Sequence, residues 1–245
     1  MALPSSTMFN YNARDYDAVT HTLPKNANQI LNFDIVFNGT PTAVGADYLD
    51  LSGGDCNSLF DNCVITYNDT QSNPFNRDNT SRTLTIIYKT SGFTGDAGWT
   101  ENLLANRNGG DYNWMVRGTV FHTSSPDFLN LTPVTDPQIF VIRVSSDATA
   151  VRKQIDASGN TIQSVSGSVW YGSTCNQFNF FKGGVPEGEC EDFGSTFYWM
   201  YCSLDALTDE QILDVVNYNN AAPTPIIINK TIPYNNIYRG ETNIN

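Results

Sequence analysis

Short apolar runs separated by turn-forming residues recur along most of the chain. Around Leu84, the apolar side chains of Leu84, Ile86 and Tyr88 share one face of an extended strand, because successive side chains of a strand point to opposite faces. Runs at this spacing are typical of a β-sandwich or barrel rather than of alternating strands and helices. The predicted strands are Ile30–Phe37, Tyr48–Gly53, Cys63–Tyr67, Arg82–Thr90, Tyr112–Phe121, Gln138–Ser146, Ala150–Ile155, Asn160–Gly167, Asn176–Gly184 and Ser195–Leu204.

Two regions of this pattern carry additional signals. Almost every position from Phe197 to Cys202 is apolar, which predicts an interior strand that is covered on both faces. The compact turn Asp156–Asn160 contains Gly159, which is free to take a positive φ. We therefore expect a hairpin between Val151–Ile155 and Thr161–Val165.

A short helix is predicted near the end of the chain. Thr208 is a natural N-cap, and Gln211 stands three residues later, where it completes a capping box. Ile212, Val215 and Val216 form an apolar stripe at helical spacing. Because so short a helix is stable only when it is packed, we expect it to cover an edge or an open end of the core.

The residues after Asn220 show neither the strand nor the helix period. They contain three prolines and the triplet Ile226–Ile228. Proline lacks the N–H that a strand interior needs, so this segment is predicted to be an extended arm whose apolar side chains require a covering surface.

Composition and charge exclude some partners. The formal net charge is −12 and the thirteen basic residues are scattered, so we expect no nucleic-acid partner. No stretch approaches 18 apolar residues, which argues against membrane insertion. The N-terminus lacks a basic start followed by an apolar run, and we therefore expect no secretory signal.

The five cysteines have no paired C-x-x-C spacing, which argues against both a zinc site and a disulfide scaffold. Free thiols are expected, and a Cys56–Cys63 bridge is the one local alternative. No cofactor is predicted.

The order of these segments resembles the laminin-G-like, concanavalin A-type jelly rolls. In that family the last strand is followed by a helix of Leu-Ser/Thr-Asp-Glu-Glu-Ile type, which Leu207–Ile212 matches. Leu103, Leu104, Gly109 and Trp114 resemble a strand pair of the family, and Tyr16–Thr42 resembles its opening strand in gut bacteria and their phages. The resemblance implies an all-β sandwich of two antiparallel sheets with one short C-terminal helix. The predicted organisation is an N-terminal extension at 1–13, the jelly roll at 14–220 and an extended C-terminal arm at 221–245.

The acidic run Glu187–Asp192 is the sharpest catalytic candidate. Glu187, Glu189 and Asp192 have the spacing of the Glu-x-Asp-x-x-Glu strand of laminarinase-type hydrolases, which need two carboxyl groups on one strand face. Here the second and third residue types are exchanged and glycines surround the run, so a solvated acidic loop is expected instead. We expect no enzymatic activity. Calcium binding by this run or by Asp111 is left open, without an EF-type spacing to favour it.

Flat aromatic side chains next to polar groups are the pattern of a sugar-binding surface. Trp99 lies in a Gly-rich segment and Trp170 precedes a Gly-Ser-Thr turn, so both are candidates for exposure. Trp114 and Trp199 lie within predicted strands and are expected in the core. Core or edge packing is the alternative for all four. The candidate carbohydrate-binding residues are Trp99, Arg107, Asp111, Trp170 and Tyr171.

The resemblance implies a binding or scaffold role more directly than a reaction. Together with the absent signal and the Asn/Thr-rich composition, it leads us to expect a bacteriophage virion protein made in the host cytoplasm, such as a head-decoration, fibre or tail-associated protein. Its expected partners are other virion proteins or further copies of the chain, together with a cell-surface glycan. The alternative is a carbohydrate-binding module or an inactive glycosidase-like surface protein of a gut bacterium. The predicted docking residues of the arm are Ile226, Ile227, Ile228, Ile232, Tyr234, Ile237 and Tyr238.

Overall fold

The computed structural model describes residues 2–52, 58–92, 102–108, 111–117, 120–123, 129–131, 136–182 and 193–221. The α-helix in these ranges is α1 (Asp209–Asn220). The strands are β1 (Thr7–Asn12), β2 (Thr22–Leu23), β3 (Ile35–Val36), β4 (Ala43–Val44), β5 (Leu49–Asp50), β6 (Val64–Thr66), β7 (Leu84–Ser91), β8 (Asn102–Asn108), β9 (Asp111–Arg117), β10 (Val120–His122), β11 (Leu129–Asn130), β12 (Gln138–Val144), β13 (Thr149–Ile155), β14 (Thr161–Ser168), β15 (Gln177–Phe180) and β16 (Thr196–Ser203).

These strands form two main antiparallel sheets. The eight-stranded sheet has the order β14-β13-β12-β7-β16-β5-β4, and β1 also pairs with β16. The six-stranded sheet has the order β11-β10-β9-β8-β15-β6, and β2 and β3 form a separate pair. The predicted all-β sandwich with one short C-terminal helix is confirmed.

The core between the two sheets is rich in aromatic side chains. Phe75 and Phe178 stack with ring centroids 3.8 Å apart, and Phe9 packs against Phe178 and Phe180. Leu84, Ile86 and Tyr88 all face this core, as their alternation predicted. Tight burial of such large rings is the main source of stability in a sandwich of this size.

Strand β16 is covered on both faces, as its uniform apolar sequence predicted. Met200 and Cys202 face the core between the sheets, whereas Trp199 and Tyr201 face outward and lie beneath the helix. Burial raises the pKa of the Cys202 thiol to about 12, so this cysteine stays protonated and inert.

The helix α1 lies on the outer face of the eight-stranded sheet. Thr208 and Gln211 form the predicted capping box, and Ile212, Val215 and Val216 are buried against the sheet. Its position differs from the expected edge or open end, because the outer faces of β7, β12 and β16 carry an apolar patch that needs a cover. No helix among the described residues is long and apolar enough to cross a membrane.

Buried amides join the end of the helix to strand β1. Asn219 Nδ2 donates to Asn10 Oδ1 at 2.8 Å, and Asn10 Nδ2 donates back to Asn219 Oδ1 at 3.1 Å. Asn12 Nδ2 donates to both Asn219 Oδ1 and the Asn219 carbonyl. Strand β1 falls within the predicted N-terminal extension at 1–13, but its pairing with β16 places it inside the sandwich.

Two other strand predictions have different outcomes. The hairpin is confirmed: Ile155 pairs with Thr161, and Gly159 has a φ of +84°. The run Ile30–Phe37 is only partly a strand, because Ile35–Val36 alone forms β3. The Lys25 N–H bonds the Asp34 carboxylate at 2.8 Å, and side-chain bonds of this kind draw the backbone away from a regular ladder.

Candidate functional site

A groove of about 660 Å³ lies on the outer face of the eight-stranded sheet, beside the C-terminal end of α1. Its volume is in the range of small-molecule sites. We call it the Tyr198 groove. It is lined by Asn12, Arg14, Ala46, Asp47, Lys89, Ala157, Tyr198, Trp199, Asn219, Asn220 and Ala221.

A β-bulge brings Tyr198 to the groove. The register between β16 and β7 shifts between Phe197 and Trp199, so Phe197 still faces the core while Trp199 faces outward. The extra residue, Tyr198, is half-buried, and its ring lies 6.1 Å from that of Tyr48. Bulges often re-aim a side chain in this way next to functional sites.

Lys89 and Asp47 supply opposite charges next to this ring. The Lys89 ammonium lies 4.8 Å from the ring centroid of Tyr198 and 3.4 Å from Asn220 Oδ1. Burial lowers the pKa of Lys89, and the Asp47 carboxylate opposes that shift. Burial also raises the pKa of Tyr198, and Asp47 raises it further. Asp47 therefore acts electrostatically on both side chains.

The helix end forms one wall of the groove and is held rigidly. The Trp199 indole N–H donates to Asn220 Oδ1 at 3.2 Å. The Arg14 guanidinium donates to the carbonyls of Tyr218, Asn219 and Ala221, where its charge also complements the negative end of the helix dipole. The groove thus combines a half-exposed aromatic ring, an ammonium, a carboxylate and an amide on a fixed frame, which suits hydrogen bonding to a polyhydroxylated ligand.

The predicted residue Trp170 lies elsewhere, after β14. It is 51% exposed, and the Arg82 guanidinium carbon lies 5.6 Å from its ring centroid. Tyr171, which was expected to share this exposure, is buried, because its hydroxyl donates to the Arg82 carbonyl at 2.7 Å. Tyr171 therefore supports the Arg82 backbone and presents no face to a ligand.

Arg107 lies on the outer face of the six-stranded sheet. Trp114 and Val116 of β9 face the core, so Arg117 faces outward with its neighbours Arg107 and His122. Arg107 and Arg117 are only 4% and 5% exposed. Burial and the charges of Arg117 and Arg107 lower the pKa of His122 to about 4, so the imidazole is neutral at pH 7. Arg107 is thus part of a buried polar cluster rather than an open ligand site.

Several other predicted residues lie outside the described part of the structure. These are Trp99, the acidic run Glu187–Asp192, Cys56 and the docking residues of the arm, Ile226, Ile227, Ile228, Ile232, Tyr234, Ile237 and Tyr238. Asp111 is the first residue of β9, but its side chain also lies outside the described part of the structure. Among the described residues, no group of three or more His, Cys, Asp or Glu side chains is placed to hold a metal ion.

Sequence reasoning missed the Tyr198 groove. Tyr198 lies in a run of apolar residues that predicts full burial, and the bulge that exposes it is not readable from that run. The one usable signal was Lys89, a charge that follows directly on the three apolar residues Ile86–Tyr88.

Comparisons with known proteins support the fold. No family model and no curated protein matches the chain. A Trypanosoma rangeli sialidase, solved in complex with sialic acid, is similar to 90% of this chain at 11% identity with a TM-score of 0.55. The receptor-binding domain of botulinum neurotoxin C/D mosaic serotype is similar to 87% of the chain at 10% identity with a TM-score of 0.51. The match spans 34% of the sialidase chain and 51% of the toxin chain. The chain therefore shares an antiparallel β-sandwich fold with parts of these two proteins.

Proposed function

We propose that this protein is a non-enzymatic, lectin-like binding protein that holds a glycan in the Tyr198 groove. The observation that carries this proposal is the meeting of the Tyr198 ring, the Lys89 ammonium and the Asp47 carboxylate in one groove of about 660 Å³. An aromatic face packs against the apolar C–H side of a pyranose, and the surrounding polar groups take its hydroxyls.

The charges favour a neutral sugar. Arg14 is already engaged by three helix carbonyls, so Lys89 and Asp47 are the charged side chains of the groove that are left to meet a ligand. One positive and one negative group bind a pair of hydroxyls as donor and acceptor without a net charge on the ligand. An acidic sugar would instead place its carboxylate near Asp47.

The proposal of a non-enzymatic role is supported by the groups that the groove presents. Most glycosidases use two carboxyl groups on either side of the scissile bond. Among the groove residues Asp47 alone carries a carboxylate. The described side chains on the outer face of the six-stranded sheet, where Arg107 and His122 lie, include no carboxylate at all.

Titration calorimetry with a panel of neutral, amino and sialylated oligosaccharides tests the groove. Tyr198→Ala and Asp47→Ala are each expected to weaken the tightest interaction about tenfold or more, since both remove a direct contact. Tyr198→Phe keeps the ring and is expected to retain the affinity within about threefold. Trp170→Ala is the control, because Trp170 is the other exposed aromatic residue among the candidates. A large loss of affinity in Trp170→Ala, with none in Tyr198→Ala, would mean that the glycan binds at Trp170.

We further propose that the protein functions in a bacteriophage virion as a head-decoration, fibre or tail-associated component. The support is the resemblance of its opening segment to phage and gut-bacterial domains of this fold, together with the predicted arm. Mass spectrometry of gradient-purified particles is the test. Stoichiometric recovery of the chain with particles is expected, whereas its recovery only from bacterial surfaces would favour the carbohydrate-binding module instead.

A further inference from the structure

Among the described residues, strand β14 is the outermost strand on one side of the eight-stranded sheet, and it is unusually long for that position. It is eight residues long, whereas the other outermost strands among the described residues have six (β1), three (β6) or two (β4 and β11). Natural sheets protect long edges with charges, prolines or bulges, because unpaired backbone groups recruit further strands. The sequence of β14, Thr161–Ser168, contains neither a charge nor a proline. Its bulge, at Ile162, lies near the start of the strand and leaves the ladder regular from Gln163 to Ser168.

The hydrogen-bond register identifies which backbone groups are available. The Val169 N–H donates to the Ala148 carbonyl at 3.0 Å, so Ala148 and Val169 form a hydrogen-bonded pair. Such pairs recur at every second residue of an antiparallel ladder. The N–H and C=O groups of Val165 and Gly167 therefore point toward β13, where they pair with Arg152 and Ala150. The N–H and C=O groups of Ser164 and Ser166 therefore point away from the sheet, and both residues are exposed.

The predicted arm has the composition of a strand that would fit this edge. Between Pro225 and Pro233 the sequence IIINKTI has β-branched residues at five of seven positions. Proline cannot donate to a ladder, so the pairing stretch is bounded at Ile226 and Ile232. Seven residues of strand span about 23 Å, which matches the length of β14.

The arm begins beside the start of β14 of its own chain, and this position favours pairing with the β14 of a second copy. Ala221, the first residue of the predicted arm, lines the Tyr198 groove together with Ala157 of the turn that leads into β14. An arm that left from there along its own β14 would run parallel to it, whereas a second copy can supply the antiparallel pairing that the neighbouring strands have. We propose that residues 226–232 of one copy add as a strand to β14 of a second copy, so that each chain has one edge and one arm. This inference rests on the assembly role proposed above and identifies the receiving surface. The contact is heterologous, and it therefore links copies into rings or filaments.

Two variants test the β14 edge and the arm separately. Ser166→Pro removes an outward N–H that β13 does not use, so the hairpin is expected to be retained while strand addition is blocked. Ile227→Pro interrupts the arm and leaves the sandwich untouched. Ser166→Ala is the matched control, because it keeps the backbone N–H and removes only the hydroxyl.

Sedimentation velocity over a range of concentrations measures the self-association of each variant. The full chain and Ser166→Ala are expected to self-associate alike, and both proline variants are expected to associate about tenfold or more weakly. A mixture of the two proline variants is expected to form a 1:1 dimer, because one supplies an intact arm and the other an intact edge. A full chain that stays monomeric, or a mixture that does not dimerise, overturns the proposal.

The glycan affinity and thermal unfolding of each variant are measured in parallel. The glycan affinity is expected to equal that of the full chain, which separates this contact from the groove. The unfolding temperature is expected to match at dilutions where the full chain is monomeric, and to lie below that of the full chain where the full chain self-associates. If Ser166→Pro does not fold, Ile227→Pro and a synthetic peptide of residues 222–235 still decide the question. The peptide is expected to dissociate the self-associated full chain, and failure to do so counts against the proposal.

Discussion

His122 shows how burial and charge act on a single residue. It lies on the outer face of the six-stranded sheet with its ring 4.5 Å from that of Tyr112, close to the charges of Arg107 and Arg117. Its pKa of about 4 in the folded protein is well below the 6.5 of an exposed histidine. The unfolded chain therefore binds more protons than the folded chain between these two values.

This difference predicts that His122 makes the folded protein less stable as the pH falls. Because the unfolded chain takes up the proton first, the free energy of unfolding falls as the pH drops from about 6.5 toward 4. His122→Gln removes that contribution, so its unfolding midpoint is expected to change less between pH 7 and pH 5 than that of the wild type. Thermal unfolding at several pH values measures the two slopes. Equal slopes would contradict the low pKa.

At the residue scale, the burial of a side chain was predictable from the sequence where the alternation of its own strand decides which face it lies on. Trp114 lies in an alternating strand and is fully buried, as predicted. Trp170 follows a strand end and is exposed, although its role as a ligand residue stays a prediction. Arg107 was expected at a ligand surface and is buried, because the strands beside it carry further long side chains on the same face.

At the scale of elements, α1 and β1 hold each other in place. The predicted helix has the expected cap and apolar stripe, because both depend on residues close together in sequence. Its position on the sheet was not predictable, since it depends on Asn10 and Asn12, which lie more than 200 residues away from Asn219. The same contact turns the predicted extension before residue 14 into a strand of the sandwich.

Loss of the amide contact is expected to destabilise the whole domain. Asn219→Ala leaves the buried amides of Asn10 and Asn12 without their partner, which is expected to cost about 2–3 kcal/mol in the free energy of unfolding. Urea denaturation followed by circular dichroism measures this loss. Asn217→Ala, at a half-buried position on the same helix, is the control and is expected to change it by about 0.5 kcal/mol or less. Equal effects would mean that the amide contact is not what holds the helix.

At the scale of the molecule, the Tyr198 groove exists only because distant segments meet. Its walls come from β1 and the turn after it, the β4–β5 turn, β7, the β13–β14 turn, β16 and the end of α1. Hydrophobic alternation predicted β7 and β16, which carry Lys89 and Tyr198, but not β1, the order of the strands or the bulge at Tyr198. The fold class was therefore predictable, whereas the site required the assembled sheet.

A crystal structure of the full chain, soaked with the tightest-binding oligosaccharide of the calorimetry panel, tests the central claim most directly. The account predicts one sugar ring packed on the Tyr198 ring, with hydroxyls bonded to Lys89 and Asp47. A sugar bound at Trp170 or on the six-stranded sheet, with the Tyr198 groove empty, would contradict it.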